Sequence, residues 1–444
     1  MEWGAEEAKG KTMTRTLIKG RLLSFQAKPQ NASDTSCFEY IASGALLIEN
    51  GLIVWKGHQA DFELSENVTK IIDHGDDIVM AGFIDTHCHY SQTQVIASFG
   101  EKLLDWLNNY TFIEEAKFTS VEHANRIAQA FFEEIINHGT TTVAAYCTVH
   151  TQSVNAFFEA ASQRNMRVIG GQVLMDRNAP QDLCVDPNAL YDQSQKFIKK
   201  WDNYRRCHYA VTPRFAITST PEMLEVSGAL VKANKSCYMQ THLSENTDEI
   251  GVTMNLFPDA KDYLDVYDRF ELLGDKSLFG HCIHLSDREI GRLSETNSRA
   301  IYCPTSNLFL GSGLFDLRRL SNAGVSIGIA TDIGAGTTYS MLGTLGTAYG
   351  LCQLNSFIFN PLLAFYMITL GNAIALQLDD KIGTLDIGSE ADIIVLNSRA
   401  TSAMKTRMET VTSLQEELFV LQILGDNRSV SQVYIMGEAS KKYP

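Results

Sequence analysis

The chain has 444 residues, 45% apolar and 20% charged, with 52 acidic against 37 basic side chains and a formal net charge of −15. That length suits a large barrel or two to three ordinary domains, and the composition is that of a soluble globular protein. The acidic balance argues against polyanionic partners, so neither nucleic acid nor an anionic membrane surface is expected.

The N-terminus, "MEWGAEEAKGKTMTRT", carries acidic residues and lacks the apolar core of a signal peptide. Met13 could equally be a start. Nine cysteines (Cys37, Cys88, Cys147, Cys184, Cys207, Cys237, Cys282, Cys303 and Cys352) are scattered without a C-x-x-C pair. This is the pattern of a reducing compartment rather than a disulfide framework, and a cytoplasmic location is expected.

Residues 14–78 read as short strands, with Asn50-Gly51 between two apolar runs as a hairpin turn. The segments 381–397 and 430–438 read the same way near the other end. A small β-sandwich domain assembled from both termini, residues 14–78 and 382–444, is therefore expected around a catalytic unit at 79–381. In the middle, β-branched runs recur with helical patterns between many of them, as in 120–139, where Gly139 closes a helix. Candidate strands are 79–87, 140–147, 167–175, 209–217, 238–243, 277–282, 300–304 and 326–332. Eight buried parallel strands with intervening helices outline an α/β fold, a (β/α)₈ TIM barrel. The most apolar stretch, 361–376, is broken by Gly371 and Asn372 and is too short to span a bilayer, so it reads as a buried helix.

Chemistry in such a barrel gathers at the C-terminal ends of the strands. There the sequence places His87 and His89 on the first strand, Arg214-Phe215 on the fourth, His242 then Glu245 on the fifth, His281 on the sixth and Asp332 on the eighth. Residues i and i+2 of a strand face one way, so His87 and His89 can act together. Any one of these histidines alone would more often be a hydrogen-bonded core or surface residue; the set at one rim is what argues for a metal. His87, His89, His242 and Asp332 would give a divalent ion three nitrogens and one oxygen, leaving a position for water. Such an ion lowers the pKa of water to around 7. Glu245, three residues beyond His242, is a candidate base. His281 is either a further ligand or a hydrogen-bond partner that orients the hydroxide.

The second and third strands contain no lysine of the kind that bridges paired metals in barrel hydrolases, which favours a single ion. The H-x-E…P-C-x-x-C pattern, the G-x-S-x-G elbow, the phosphate loop and the H-E-x-x-H helix are all absent. "GTLGTAYG" (343–350) reads as helix rather than a phosphate cradle.

"AGFIDTHCH" (81–89), "HLSEN" (242–246), "FGHCIHLS" (279–286), "CPTSN" (303–307) and "IATDIGAG" (329–336) resemble the amidohydrolase superfamily. "HYSQT" (89–93), "LLDWLNNYTFIEE" (103–115), "GTTTVAAYCTVH" (139–150), "MDRNAP" (175–180) and "TPRFAITST" (212–220) are similar to its guanine-deaminating branch. The similarity runs from about residue 14 through the rest of the chain. It implies zinc-dependent hydrolysis of guanine to xanthine and ammonia, with one Zn²⁺ on His87, His89, His242 and Asp332. It also implies that Glu245 moves the proton and that Asp332 and His281 assist. Gln92 and Arg214 would bond the purine edges, Phe215 would wall the ring, and His242 and Trp106 would also face the substrate. Glutamine offers donors and an acceptor while arginine only donates, so Arg214 fits a carbonyl such as O6. Trp106 with "YTF" (110–112) could form an aromatic lid.

Ser91, where proline is common, and Gln172, where lysine often sits, depart from the family pattern without touching this chemistry. Barrels of this type are often dimers, so a homodimer is expected, with the apolar 341–378 region as a candidate interface. The nearest rival is a hydrolase of the same fold acting on cytosine, an adenine derivative or a chlorinated triazine. A scaffold that has lost its chemistry would lack ligands, and none is missing.

Overall fold

The computed structural model describes residues 15–63, 68–100 and 102–441, so residues 1–12 and the alternative start at Met13 lie outside it. The chain opens with β1 (Arg15–Phe25), β2 (Phe38–Glu49), β3 (Leu52–His58) and β4 (Lys70–Ala81). Asn50 and Gly51 join β2 to β3 with φ of 53° and 81°. Two positive φ values suit the right-handed twist of the paired strands, which is why Asn-Gly signals this turn.

The chain then enters the barrel without a loop. After Ala81 only Gly82 intervenes before β5 (Phe83–His89). A Cβ at Gly82 would sit 2.2 Å from Thr141 Oγ1, so glycine is required for the close passage. Next come β6 (Thr140–Tyr146), β7 (Arg167–Gly171), β8 (Val173–Leu174), β9 (Cys207–Pro213) and β10 (Tyr238–Leu243). They are followed by β11 (Ser277–His281), β12 (Arg299–Tyr302) and β13 (Ser326–Ile329). Each pairs in parallel with the next in chain order, β7 and β8 forming one interrupted strand. The ring closes where the chain beyond β13 meets β5: Asp332 N–H donates to His87 O at 2.9 Å and His89 N–H to Ile333 O at 2.5 Å.

The eight-stranded barrel matches the sequence expectation, with shifted strand ends. Residues 79–81 belong to β4, not to the first barrel strand. Burial on both sides of Gly82 makes the run continuously apolar, which hides the change of sheet. The third strand breaks at Gln172, whose Nε2 donates to Val149 O at 2.6 Å and to Gln193 Oε1 at 2.5 Å. The fourth ends at Pro213, so Arg214 and Phe215 stand just past it.

Inside the barrel Ile84, Ala144, Ile169, Ala210, Tyr238, Leu278, Ile301 and Ala330 form one apolar layer, drawn from every strand or its immediate continuation. The helical run Pro361–Tyr366, Met367–Gly371 and Asn372–Ala375 is buried, as expected. Asn372 is no break in it. Its Nδ2 donates to Ile84 O at 2.6 Å and Ile329 O at 2.8 Å, and its Oδ1 accepts from Ile329 N at 2.9 Å, stitching the first strand to the eighth. Among the described residues no helix is long and apolar enough to cross a membrane.

The C-terminal segment returns to the first sheet as β14 (Ile393–Leu396), β15 (Val430–Ile435) and β16 (Glu438–Ala439). The seven strands run in the order β16-β15-β14-β4-β1-β2-β3. Its two sides meet around an apolar interior that includes Ile18, Leu46, Ile53, Ile393 and Tyr434. Ala391 N–H donates to Gly51 O at 2.7 Å across the closure. Between β14 and β15 the helices Ser402–Met408 and Leu414–Leu424 interrupt the β pattern, and the second packs on the barrel helix Met341–Leu354.

An ion cluster fastens the sheet to the bottom of the barrel. Arg206, 6% exposed, holds Glu390 at 2.5 Å and both oxygens of Asp392, and Arg167 also pairs with Glu390. Burial works to raise the Glu390 carboxyl, but Arg206 and Arg167 outweigh it and hold it below its ordinary range. Its stabilisation is therefore full above the ordinary glutamate pKa of about 4.3 and is lost as pH falls through the lower folded-state value. Arg206→Met leaves Asp392 buried without its cation and should cost about 3–5 kcal/mol in chemical denaturation at pH 7. A loss below about 1 kcal/mol would show that the cluster does not hold the two parts together.

Candidate active site

The barrel delivers its polar side chains to one rim, and left-handed backbone helps aim them. Ser244, His281, Cys282 and Asp332 take φ of 49°, 70°, 52° and 53° at the ends of β10 and β11 and just past β13. Such conformations cost non-glycine residues roughly 1–3 kcal/mol each and persist only where surrounding bonds enforce them. Here Cys282 N–H donates to Leu243 O at 2.9 Å, and Asp332 N–H is held by β5.

His87, His89, His242 and Asp332 converge although they come from distant parts of the chain. His89 Nε2 lies 3.1 Å from His242 Nε2. Asp332 Oδ1 lies 3.4 Å from His87 Nε2 and 3.5 Å from His89 Nε2. Ligands about 2.0–2.1 Å from a central ion at the corners of a tetrahedron are about 3.3–3.4 Å apart, so these separations are those of a coordination shell. His87 Nε2 and Asp332 Oδ1 are buried without a hydrogen-bond partner. His242 Nδ1 donates to Arg214 O at 2.7 Å, which leaves its Nε2 lone pair facing the cluster.

Protonation fits the same reading. Burial drives His89 and His242 well below their ordinary values, reinforced by neighbouring imidazoles, and it lowers His87. Lowered values favour the neutral, lone-pair-bearing form that a metal requires of all three rings. Burial works to raise Asp332, yet His87, His281 and His242 hold it at about 2, so it is a carboxylate. Cys303 Sγ is also close to His87 and Asp332. In the metal-free chain burial pushes its thiol far up. The donor set fits one divalent ion of the zinc type.

Glu245 and His281 stand beside this shell. His281 Nε2 lies 3.3 Å from Glu245 Oε2 and 3.8 Å from Asp332 Oδ2, while its Nδ1 donates to Asn307 Oδ1 at 3.0 Å. Burial would lower His281, but Glu245 and Asp332 more than offset it and raise it. Burial pushes Glu245 up to about 7 against the pull of His281. Glu245 is held by Ser312 Oγ, which donates to Oε1 at 3.1 Å. Its backbone N–H is fixed by Glu249 Oε2 at 2.9 Å, part of the capping box that starts helix Thr247–Leu256 at Asn246.

Gln92, Trp106, Arg214, Phe215, His242 and Glu245 all line one pocket together with His89, His281 and Asp332. Leu103, Leu107, Leu310 and Ala335 complete its apolar wall. Gln92 ends the short turn Tyr90–Gln92 that follows β5. Trp106 points its indole N–H away, to Ser98 O at 3.2 Å, and offers the pocket only its ring. Of the aromatic lid expected from 110–112, Tyr110 and Phe112 do not line the pocket; the Phe112 ring lies 5.5 Å from the Arg214 guanidinium instead.

Four residues escaped the sequence reading. Tyr146 packs its ring 4.5–4.9 Å from those of His87, His89 and His242. Asp85 accepts from Thr331 N at 3.1 Å and from the Thr331 hydroxyl, setting the turn that carries Asp332. Asn307 orients His281, and Glu115 bonds both Gln92 and Arg214. The motifs quoted above contain all four, but nothing in linear spacing says which side chain each would meet.

A barrel with this rim defines a metal-dependent hydrolase class. The Amidohydrolase family model matches residues 78–439, and the chain belongs to that family. Within it the similarity is to guanine deaminases. The guanine deaminase of Escherichia coli (strain K12) is 41% identical over 427 residues, 96% of this chain and 97% of the relative. The solved E. coli guanine deaminase structure superposes with a TM-score of 0.93 at 39% identity, covering 97% of this chain and all of that one. A guanine deaminase from C. acetobutylicum, solved with guanine bound in its active site, gives a TM-score of 0.85 at 30% identity and covers 96% and 100% of the two chains.

The tetrahedral spacing makes a direct claim about metal. Elemental analysis of purified protein should find about one divalent ion per chain, and His89→Gln should lower that content severalfold. Unchanged content in the variant would remove His89 from the shell.

Proposed function

We propose that this chain hydrolyses guanine to xanthine and ammonia, with one Zn²⁺ held by His87, His89, His242 and Asp332. The observation that carries the reading is a single pocket lined both by metal-type donors with Glu245 and His281 and by Gln92 and Arg214, which suit a polar heterocycle edge. Support for the substrate comes from the guanine deaminases that resemble the chain along nearly its whole length.

A bound zinc ion would supply Lewis acidity, bringing the ionisation of water to near neutral pH. The chain's own groups do the rest. Arg214 donates to O6 and Gln92 bonds the neighbouring edge, so the bicyclic ring lies with C2 toward Glu245 and Asp332. Phe215, Trp106 and the leucines cover its faces and exclude bulk water. Glu245 takes a proton from the attacking water and delivers it to a ring nitrogen while the new C2–O bond forms. His281, fixed by Asn307, and the Asp332 carboxylate orient the attacking oxygen. A proton returned from this side to the amine lets the C2–N bond break and ammonia leave. Water in, ammonia out, and a carbonyl at C2 balance the reaction without a redox partner.

Purified protein should release ammonia from guanine and not from adenine or cytosine. Glu245→Gln keeps the shape and the hydrogen bond from Ser312 but cannot carry the proton. It should retain zinc and lose at least about 100-fold in kcat. A zinc-loaded variant with near-normal turnover would remove Glu245 from proton transfer.

A further inference from the structure

Behind Gln92 and Arg214 sits a carboxylate that does not itself line the pocket. Glu115 is 1% exposed and lies in helix Phe112–Ala116, the end of the segment whose Leu103, Trp106 and Leu107 roof the pocket. Its partners stand on the barrel rim, in other parts of the chain. Glu115 Oε1 accepts from Gln92 Nε2 at 3.0 Å and from Arg214 Nη1 at 2.8 Å, and Oε2 accepts from the same Nη1 at 2.6 Å. One buried carboxylate thus holds both groups that the preceding section gives to substrate recognition.

The consequence is a fixed sign at each position. A free glutamine amide can turn over and offer either its carbonyl or its NH₂. A carboxylate that accepts from both neighbours commits Gln92 to pointing its NH₂ at Glu115 and its Oε1 away from it. Among the described residues no donor of the chain bonds that Oε1. It packs over Gly334, where a Cβ would come within 2.6 Å of it and within 2.4 Å of the Gln92 Cβ. Gln92 therefore meets a ligand as an acceptor and Arg214 as a donor. The complement is a lactam edge, an N–H beside a C=O, which guanine carries at N1 and O6. The edge of 2,6-diaminopurine, a bare nitrogen beside an amino group, is its inverse at both places.

We propose that Glu115 is a positioning residue that sets substrate specificity, locking Gln92 and Arg214 into the acceptor–donor order that reads a lactam edge. The proposal rests on the guanine reading above. It predicts that discrimination resides in the sign of the pattern as well as in the shape of the slot. A site whose buried polar groups are left unpaired by a wrong partner rejects that partner strongly. Glu115→Gln keeps the size but allows the new amide to donate to Gln92, which frees Gln92 to turn over.

The test compares the KM for guanine with the inhibition constant of 2,6-diaminopurine in wild-type protein and in Glu115→Gln, both with measured zinc content. We expect unchanged zinc, a guanine KM raised about 10-fold or more, and a gap between the two ligands narrowed at least 10-fold. Glu115→Asp, still acceptor-only, should weaken guanine binding yet keep more of the gap than Glu115→Gln does. A purely structural role would weaken both ligands alike or cost zinc, and an unchanged gap overturns the proposal. Should Glu115→Gln fail to fold, Gln92→Met removes the acceptor while leaving the Glu115–Arg214 pair, and the gap must narrow there too. Wild-type protein that leaves guanine untouched overturns the functional reading and this proposal with it; guanine turnover with an unchanged gap overturns this proposal alone.

Discussion

The site depends on a seam. The first and eighth barrel strands are joined by two backbone hydrogen bonds that involve the metal-type residues themselves: Asp332 N–H to His87 O, and His89 N–H to Ile333 O. Asp85 and Thr331 brace the seam beside the site, and Asn372 stitches it from beneath. Without this closure His87 and His89 would have no carboxylate opposite them. Barrel closure and assembly of the proposed coordination shell are thus one event, because the bonds that end the ring also set the Asp332 side chain within 3.4–3.5 Å of two imidazoles.

The remaining geometry follows from how the other strands end. Left-handed residues at 244, 281 and 282 turn the chain sharply after β10 and β11, so that Glu245 and His281 face inward rather than continuing along the barrel. Their partners are second-layer groups: Ser312 and Glu249 for Glu245, and Asn307 for His281. The substrate wall follows the same scheme, with Glu115 behind Gln92 and Arg214. Glu245, His281, Gln92 and Arg214 are each oriented by a group that does not line the pocket. Such support is what keeps a catalytic constellation within tolerance.

Much of this was legible in the sequence. The recurrence of β-branched runs specified the barrel, and the i, i+2 spacing of His87 and His89 specified a shared face. Asn50-Gly51 specified its turn because few residue pairs tolerate two positive φ values. The motifs at 242–246, 279–286 and 329–336 placed the rim residues. What could not be read are facts of register and of side-chain direction. Residues 79–81 look like barrel strand because burial on both faces erases the alternation that would separate one sheet from the next. Arg214 can be seen to face a rim but not to meet Glu115, 99 positions earlier. The helices at 402–408 and 414–424 were hidden in a segment expected to be β-rich.

The passage from β4 to β5 through Gly82 has a consequence for how the protein is made. His87 and His89 ride on a strand that continues directly from one paired with Ile393–Leu396. The N-terminal sheet therefore stays unfinished until Ile393–Leu396 has been synthesised, with β4 exposing an open edge in the meantime. Pairings this remote in sequence form slowly, and open strand edges invite association with other nascent chains. The yield of folded protein should thus be more sensitive to crowding on the ribosome and to chaperone supply than the stability of the finished barrel would suggest.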